Sequence, residues 1–278
     1  MSEKNIQPQL KEKKEHHAET FGIFFEAQQL LYSKDSQYQK IEVFENKDFG
    51  RILFLDGLVQ TTEWDEFFYH EMLVHPALIV HPNPKEVLVI GGGDGGALKE
   101  ILRYKIKHAF LVEIDSKVIE VSLEYFPWLS QSLKNEKVEL LIEDGIKFIE
   151  KTEKMFDVVF VDSSEPVGPS YGLHEKDFYM KLKERLKHEG IVIAQVGSPI
   201  YHLDFIKKKA TFLKDIFKVV RFYIGFVPTY PGGNWCYAFL SDEIDPFSIK
   251  RNPPPNLKYY NLDIHSAAFA LPNFMKKI

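Results

Sequence analysis

The sequence predicts an α/β protein: a mainly parallel sheet interleaved with helices, preceded by a small antiparallel β domain. Three observations carry this reading. Beyond Lys85, apolar runs at 87–90, 109–112, 138–142, 158–161 and 191–196 alternate with helical patterns, as in successive βαβ units. Residues up to about Gln60 instead alternate apolar and polar side chains between turn signals, with no helical stretch. Helical spacing first appears at Asp65, so we expect a β-hairpin domain over 1–64 and a larger domain with a C-terminal tail over 65–278.

The elements follow in order. The Lys/Glu/His cluster at 11–17 reads as a solvated, frayed end. Ile41 and Val43 alternate with Lys40 and Glu42, the turn formers of 45–50 lead into Arg51-Ile52-Leu53-Phe54-Leu55, and Asp56-Gly57 closes that hairpin. Phe68, Met72 and Leu73 share a helical face that Pro76, Pro82 and Pro84 are expected to end. After the parallel strands come a helix over 203–217 and two β-rich stretches, 219–227 and 235–240, which flank a Pro-Gly turn at 228–233. Pro253-Pro254-Pro255 stops regular structure, and the tail carries a short helix around 265–269.

Composition narrows the function classes. The 278 residues, 45% apolar and 27% charged, describe an ordinary globular chain with room for a sizeable core. No apolar run approaches the ~18 residues needed to span a bilayer, and the first fifteen residues are polar rather than a signal peptide. A cytoplasmic location without a membrane partner is the expectation. Cys236 is the only cysteine, which excludes an intrachain disulfide or a thiolate metal cage. Net charge is −5 and the basic residues are scattered, so no stripe for nucleic acid is present; an acidic cleft for a cationic small molecule suits the balance better.

The most informative stretch is 87–96, a buried strand running into Gly91, Gly92, Gly93, Asp94, Gly95 and Gly96, then a helical pattern. Gly91, Gly93 and Gly96 satisfy the dinucleotide fingerprint, and Glu113 closes the next apolar run roughly 20 residues on, where a ribose-binding acid belongs. Asp94 argues against a pyrophosphate. Two like charges about 4 Å apart cost about 4 kcal/mol at an effective dielectric near 20. The loop therefore calls for a positively charged nucleoside, with Glu113 on the ribose hydroxyls and Asp94 beside an ammonium or sulfonium.

Ligands of open parallel sheets bind beyond the carboxyl ends of the strands. Those ends carry Asp94, Glu113, Asp144, Asp162 and Gln195, expected to converge on one crevice. The loop Asp162-Ser163-Ser164-Glu165-Pro166-Val167-Gly168-Pro169 can present two carboxylates to one substrate. An alkyl ammonium is inert until deprotonated, so a carboxylate at its nitrogen can bind the cation and then accept its proton. Asp162 is the expected base, with Glu165 helping to hold the amine. Asp144-Gly145 either meets the amino group of a base or caps a helix. Tyr69 and His70 either line the crevice or are packing residues with satisfied polar tips, and Tyr230 lies in a loop where a plain turn is equally consistent. His70 and His75 stand roughly 140° apart around a helix of ~3.6 residues per turn, which excludes a zinc-protease pair.

These residues carry a resemblance. Gly91-Gly-Gly-Asp-Gly-Gly96, Glu113-Ile-Asp115, Asp144-Gly145, the 162–169 loop and Pro228-Thr-Tyr-Pro-Gly232 occur in order, with Leu55-Asp-Gly-Leu-Val-Gln60 and Asp65-Glu-Phe-Phe-Tyr-His-Glu71 upstream. Together they resemble the polyamine aminopropyltransferases over about 36–241. The resemblance implies a methyltransferase-like Rossmann domain behind the β domain, and transfer of an aminopropyl group from decarboxylated S-adenosylmethionine to putrescine, giving spermidine and methylthioadenosine. It implies that Asp162 accepts the proton; that Gln39, Gln60, Asp94, Glu113, Asp144, Gly145 and Pro169 contact the donor; and that Tyr69, His70, Asp162, Ser163, Ser164, Glu165, Gln195 and Tyr230 surround the amine. It further implies a homodimer or homotetramer formed through the β domain, no metal, and no cofactor beyond the donor as co-substrate. Glu165 departs from the aspartate commonest at its position and leaves acceptor length open. Agmatine, cadaverine or spermidine as acceptor, putrescine N-methylation, silent polyamine binding and an NAD-dependent dehydrogenase are the alternatives.

Overall fold

Period-two patterning and tight turns build the first of two units, which divide between Trp64 and Asp65. The computed structural model describes residues 11–164, 168–276 and 278. The first unit holds β1 (Lys11–Ala18), β2 (Phe21–Ala27), β3 (Gln29–Asp35), β4 (Lys40–Asn46), β5 (Gly50–Leu55) and β6 (Leu58–Thr62). β1 and β2 form one antiparallel ribbon, and β3 to β6 form a four-stranded antiparallel meander. Between β5 and β6 the chain reverses at Asp56 and Gly57, both at positive φ (48° and 85°), a geometry that matches the twist of a two-residue hairpin.

The charged run expected to fray is ordered as β1. Glu15 is buried and its carboxylate accepts the Val59 N–H at 2.8 Å, while Lys13 pairs with Glu42. Lys13 and Glu15 sit two apart on one strand face, where partners satisfy them. Composition reports a charge run but not which face of a strand it lies on.

The second unit contains α1 (Glu66–Leu78), β7 (Glu86–Gly91), α2 (Gly96–Ile101), β8 (His108–Glu113), α3 (Ser116–Tyr125), α4 (Pro127–Ser130), β9 (Val138–Ile142), α5 (Gly145–Lys151), β10 (Phe156–Asp162), α6 (Lys176–Lys183), β11 (Leu186–Gly197), α7 (Leu203–Ile216), β12 (Val219–Phe226), β13 (Asn234–Ser241) and α8 (Leu262–Ala268). Its sheet runs in the order β12-β13-β11-β10-β7-β8-β9, and β13 alone runs opposite to the other six strands. This is the expected mainly parallel, Rossmann-like sheet. The strands are continuous apolar runs because both sheet faces are covered. Val87 and Val89 pack with Met72, Leu98 and Tyr237 on one side, and Leu88 and Ile90 with Phe148, Tyr179 and Leu213 on the other.

Helix α1 departs from expectation in two ways. It is buried around its circumference rather than along one stripe, and it continues through Pro76 to Leu78. Proline cannot donate to the carbonyl four residues back, which here belongs to Met72. The buried Tyr223 hydroxyl donates to that carbonyl at 2.9 Å, so the helix survives the missing N–H. The tail is tied to the same helix. Glu71 accepts backbone N–H groups of Lys258, Tyr259 and Tyr260 at 2.9, 2.9 and 2.8 Å, and α8 follows, capped by the Asn261 side chain on the Ile264 N–H.

Candidate active site

In the second unit, β8 and β9 lie on one side of β7, and β10 and β11 on the other. Strand order reverses at the β7/β10 pair, and the crevice of such a sheet opens at its carboxyl ends there. The register pairs Asp162, the last residue of β10, with Gly91, the last residue of β7. Gly91 has φ of 83°, and a Cβ on it would stand 2.1 Å from the Asp162 carbonyl oxygen, so the two strand ends meet this closely only with glycine. The Gly92 N–H donates to that carbonyl at 3.0 Å.

The Asp162 carboxylate receives the Tyr69 hydroxyl at 2.6 Å, across from α1. Burial and then the Asp94 charge push its pKa up to about 6, against the opposing pull of His70 and the Tyr69 hydrogen bond. The result is a carboxylate mostly ionised at neutral pH yet far more basic than an exposed aspartate. Burial and Asp162 together hold the Tyr69 phenol protonated, as a donor. The Tyr69 ring packs against Tyr230 and Tyr237, with centroids 5.5 and 5.8 Å away. Tyr230 belongs to a loop pinned to the start of α1, because Asp65 accepts both the N–H and the hydroxyl of Thr229, at 3.1 and 2.7 Å.

Asp94 accepts the Gly96 N–H at 2.8 Å with one oxygen and faces His70 Nε2 at 3.4 Å with the other. The opposite nitrogen of His70 meets Glu66 at 2.9 Å, and Glu66 in turn receives Lys99 at 2.7 Å. Burial opposes a charge on His70, but Asp94 and Glu66 outweigh it and raise its pKa well above the usual value. Burial likewise opposes ionisation of Glu66, and hydrogen bonds from His70 and Lys99 prevail, holding it down at about 2. A row of alternating charge, Lys99, Glu66, His70, Asp94, thus runs into the crevice. The close fit requires Gly96, where a Cβ would stand 2.1 Å from the His70 ring.

Beyond Asp162, Gln195 donates through Nε2 to the carbonyls of Ser163 and Ser164, at 2.6 and 3.3 Å. Its Oε1 is buried without a hydrogen-bond partner among the described residues. Glu113 ends β8 beside the glycine loop, accepts the Asp115 N–H at 2.9 Å, and is pushed up to about 7 by burial. Asp144 caps α5, its Oδ1 accepting the Ile146 N–H at 2.8 Å, and Gly145 packs on Ile90 at the end of β7. The backbone of Pro169 lies in the helical turn Gly168–His174. Glu165 lies outside the described residues. Gln39 and Gln60 belong to the first unit, Gln39 in the turn before β4 with its N–H on Ser36 Oγ at 3.1 Å, and Gln60 on β6.

Sequence reasoning missed Asp65, Glu66, Lys99, His174 and Lys209. For Glu66 a signal existed, its spacing of four from His70 on a helix. Lys99 and Lys209 carry none, since a lysine on a helix reads as solvated. His70 and His75 serve separate clusters, His75 meeting Tyr104 and Glu100 at 2.9 and 3.2 Å. Among the described residues no group of three His, Cys, Asp or Glu side chains could hold a metal ion.

Comparison with known proteins decides the family. Residues 66–252 match the spermine/spermidine synthase domain, and residues 13–63 match the spermidine synthase tetramerisation domain. The chain belongs to the polyamine aminopropyltransferase family. The polyamine aminopropyltransferase of Caldicellulosiruptor bescii is 45% identical over 267 residues, covering 95% of this chain and 96% of that one. That of Bacillus cereus is 43% identical over 264 residues, covering 94% and 96%. A crystal structure of spermidine synthase in complex with the transition state analogue AdoDATO matches with a TM-score of 0.94 at 39% identity, covering 98% of this chain and 95% of that one. The spermidine synthase of Thermotoga maritima matches with a TM-score of 0.91 at 38% identity, covering 98% and 94%. An aminopropyltransferase consumes decarboxylated S-adenosylmethionine as a co-substrate and calls for no cofactor. Among the described residues no helix is long and apolar enough to cross a membrane.

Proposed function

We propose that this polyamine aminopropyltransferase makes spermidine, using putrescine as acceptor and Asp162 as base. The amine nitrogen attacks the terminal methylene next to the sulfonium, the carbon–sulfur bond breaks with its electron pair returning to sulfur, and the nitrogen's proton passes to Asp162. The observation that supports this most directly is the half-buried Asp162 carboxyl, raised to about 6 and held by Tyr69, at the strand-order reversal beside the Asp94 loop. Asp94 would repel the carboxylate of ordinary S-adenosylmethionine and tolerate the bare ammonium of the decarboxylated form.

In this reading Glu113 receives the ribose hydroxyls, Asp144 and Gly145 the base, and Pro169 completes the donor contacts of the second unit. Tyr69, His70, Ser163, Ser164, Glu165, Gln195 and Tyr230 surround the diamine. The protein works in the cytoplasm as a homo-oligomer assembled through its first unit, on small molecules rather than nucleic acid or membrane. Asp162→Asn should lower turnover by about 10²–10⁴-fold, the usual worth of a general base. Undiminished spermidine formation would overturn the assignment. Offering putrescine, cadaverine, agmatine and spermidine together with the decarboxylated donor, and weighing the products, tests the acceptor.

A further inference from the structure

We propose that Lys209 and His174, outside the substrate crevice, are positioning residues that hold the backbone following Asp162 in the course that receives the amine. The proposal rests on the reading of Asp162 as base and of Ser163 and Ser164 as neighbours of the acceptor.

Lys209 projects from α7 into the protein and is 1% exposed. Among the described residues no carboxylate stands within ion-pair distance of it; its amine meets Nδ1 of His174 at 3.1 Å. Nε2 of the same ring lies 3.1 Å from the Ser164 carbonyl oxygen and 3.3 Å from Ser163 Oγ. A carbonyl only accepts, so Nε2 must carry the proton and Nδ1 must be the bare nitrogen. A lysine amine donates to that bare nitrogen and thereby selects this tautomer. A carboxylate in its place would demand a proton on Nδ1 and leave Nε2 unable to hold Ser164 without a charged ring. Burial and the neighbouring Lys209 depress the His174 pKa to about 3, which keeps the ring neutral.

The effect reaches the site because the Ser164 carbonyl is one half of a clamp. Gln195 donates from β11 to the Ser163 and Ser164 carbonyls, and His174 donates to Ser164 from the turn Gly168–His174. Two consecutive peptide groups directly after the base are thus fixed from two elements. A shift of about 1 Å in groups that orient substrate is enough to cost turnover. Burying an amine with no carboxylate in direct contact is costly, and here burial outweighs the pull of the Glu175 charge and lowers the Lys209 pKa to about 7. The rings of Tyr179 and Phe205, with centroids 4.9 and 5.8 Å from Nζ, offset part of that cost. A methionine would fill the same space without the cost, which points to a use for the donor.

The test compares Lys209→Met, His174→Leu and His174→Gln, the last keeping an amide N–H for Ser164. Two readouts are taken: hydrogen–deuterium exchange over 162–164 without ligand, and KM for amine and donor separately. Lys209→Met and His174→Leu should each speed exchange and raise the amine KM about tenfold, the scale of leaving a buried carbonyl short of a donor. The donor KM should stay at the wild-type value, and His174→Gln should restore both readouts. A merely structural role would lower the folded fraction and leave exchange and amine KM of the folded protein unchanged, which overturns the proposal. If Lys209→Met does not fold, the His174 pair decides it. If wild type transfers no aminopropyl group, the functional reading fails while the exchange comparison still judges the clamp.

Discussion

Asp162 is set by opposing influences, of which the raising ones prevail. Burial and Asp94 push its pKa up, Tyr69 and His70 pull it down, and the balance lies at about 6. The base form is the carboxylate, so activity is present above that pH and is lost as pH falls through it. Tyr69→Phe removes a donor that favours the ionised form, so the Asp162 pKa should rise. A hydrogen bond to a charged group is worth ~1.5–3 kcal/mol and one pKa step ~1.4 kcal/mol, so the acid limb of kcat/KM should move to roughly 7 or above. Measuring both enzymes with the same amine cancels the amine's own ionisation. An unmoved limb would mean that Tyr69 does not tune the base. Such tuning is invisible in sequence, because Tyr69 and Asp162 are far apart in the chain and only the packing of α1 over the sheet brings them to 2.6 Å.

At the scale of elements, legibility followed periodicity. The parallel strands could be read because short apolar runs, closed by turn formers and repeated between helical patterns, suit strands covered on both faces and are too brief for buried helices. Helix α1 could be read only in part: buried on all sides, it carries Glu66, His70, Glu71 and His75 inside, each with a partner that no spacing reveals. β1 was missed for the same reason, its inward charges looking like solvated ones. Pro76 misled because the rule against proline in helices presumes that the freed carbonyl goes unmet, and Tyr223 meets it. That substitution of donors predicts a coupling. Tyr223→Phe should destabilise the fold by about 1–3 kcal/mol, as a buried carbonyl loses its partner. Pro76→Ala restores an N–H to the same carbonyl, so in the double variant much of the loss should disappear. Chemical denaturation of the four proteins measures this, and strictly additive energies would show that the hydroxyl is not standing in for the missing N–H.

Across the whole molecule, the glycine loop and the acidic strand ends could be read together because each directly follows a short apolar run closed by turn formers, a pattern that is local in the sequence. Assembly was not legible in that way. The first unit is built from hairpins with a small core around Ile41, Val43, Ile52 and Phe54, while Phe21, Phe24 and Leu30 are 51%, 60% and 41% exposed. We predict that a second copy of the chain covers these apolar side chains, since closed symmetry lets copies cover one another. The match of residues 13–63 to a tetramerisation domain supports the same reading. Burying one such Phe or Leu is worth ~1.5–3 kcal/mol, whereas burying an unpaired carboxylate costs far more. Phe24→Glu with Leu30→Glu should therefore lower the mass found by light scattering to that of a smaller assembly. Circular dichroism should show the strand content retained, since both side chains are already exposed within the single chain. An unchanged mass in the double variant would place the subunit interface elsewhere.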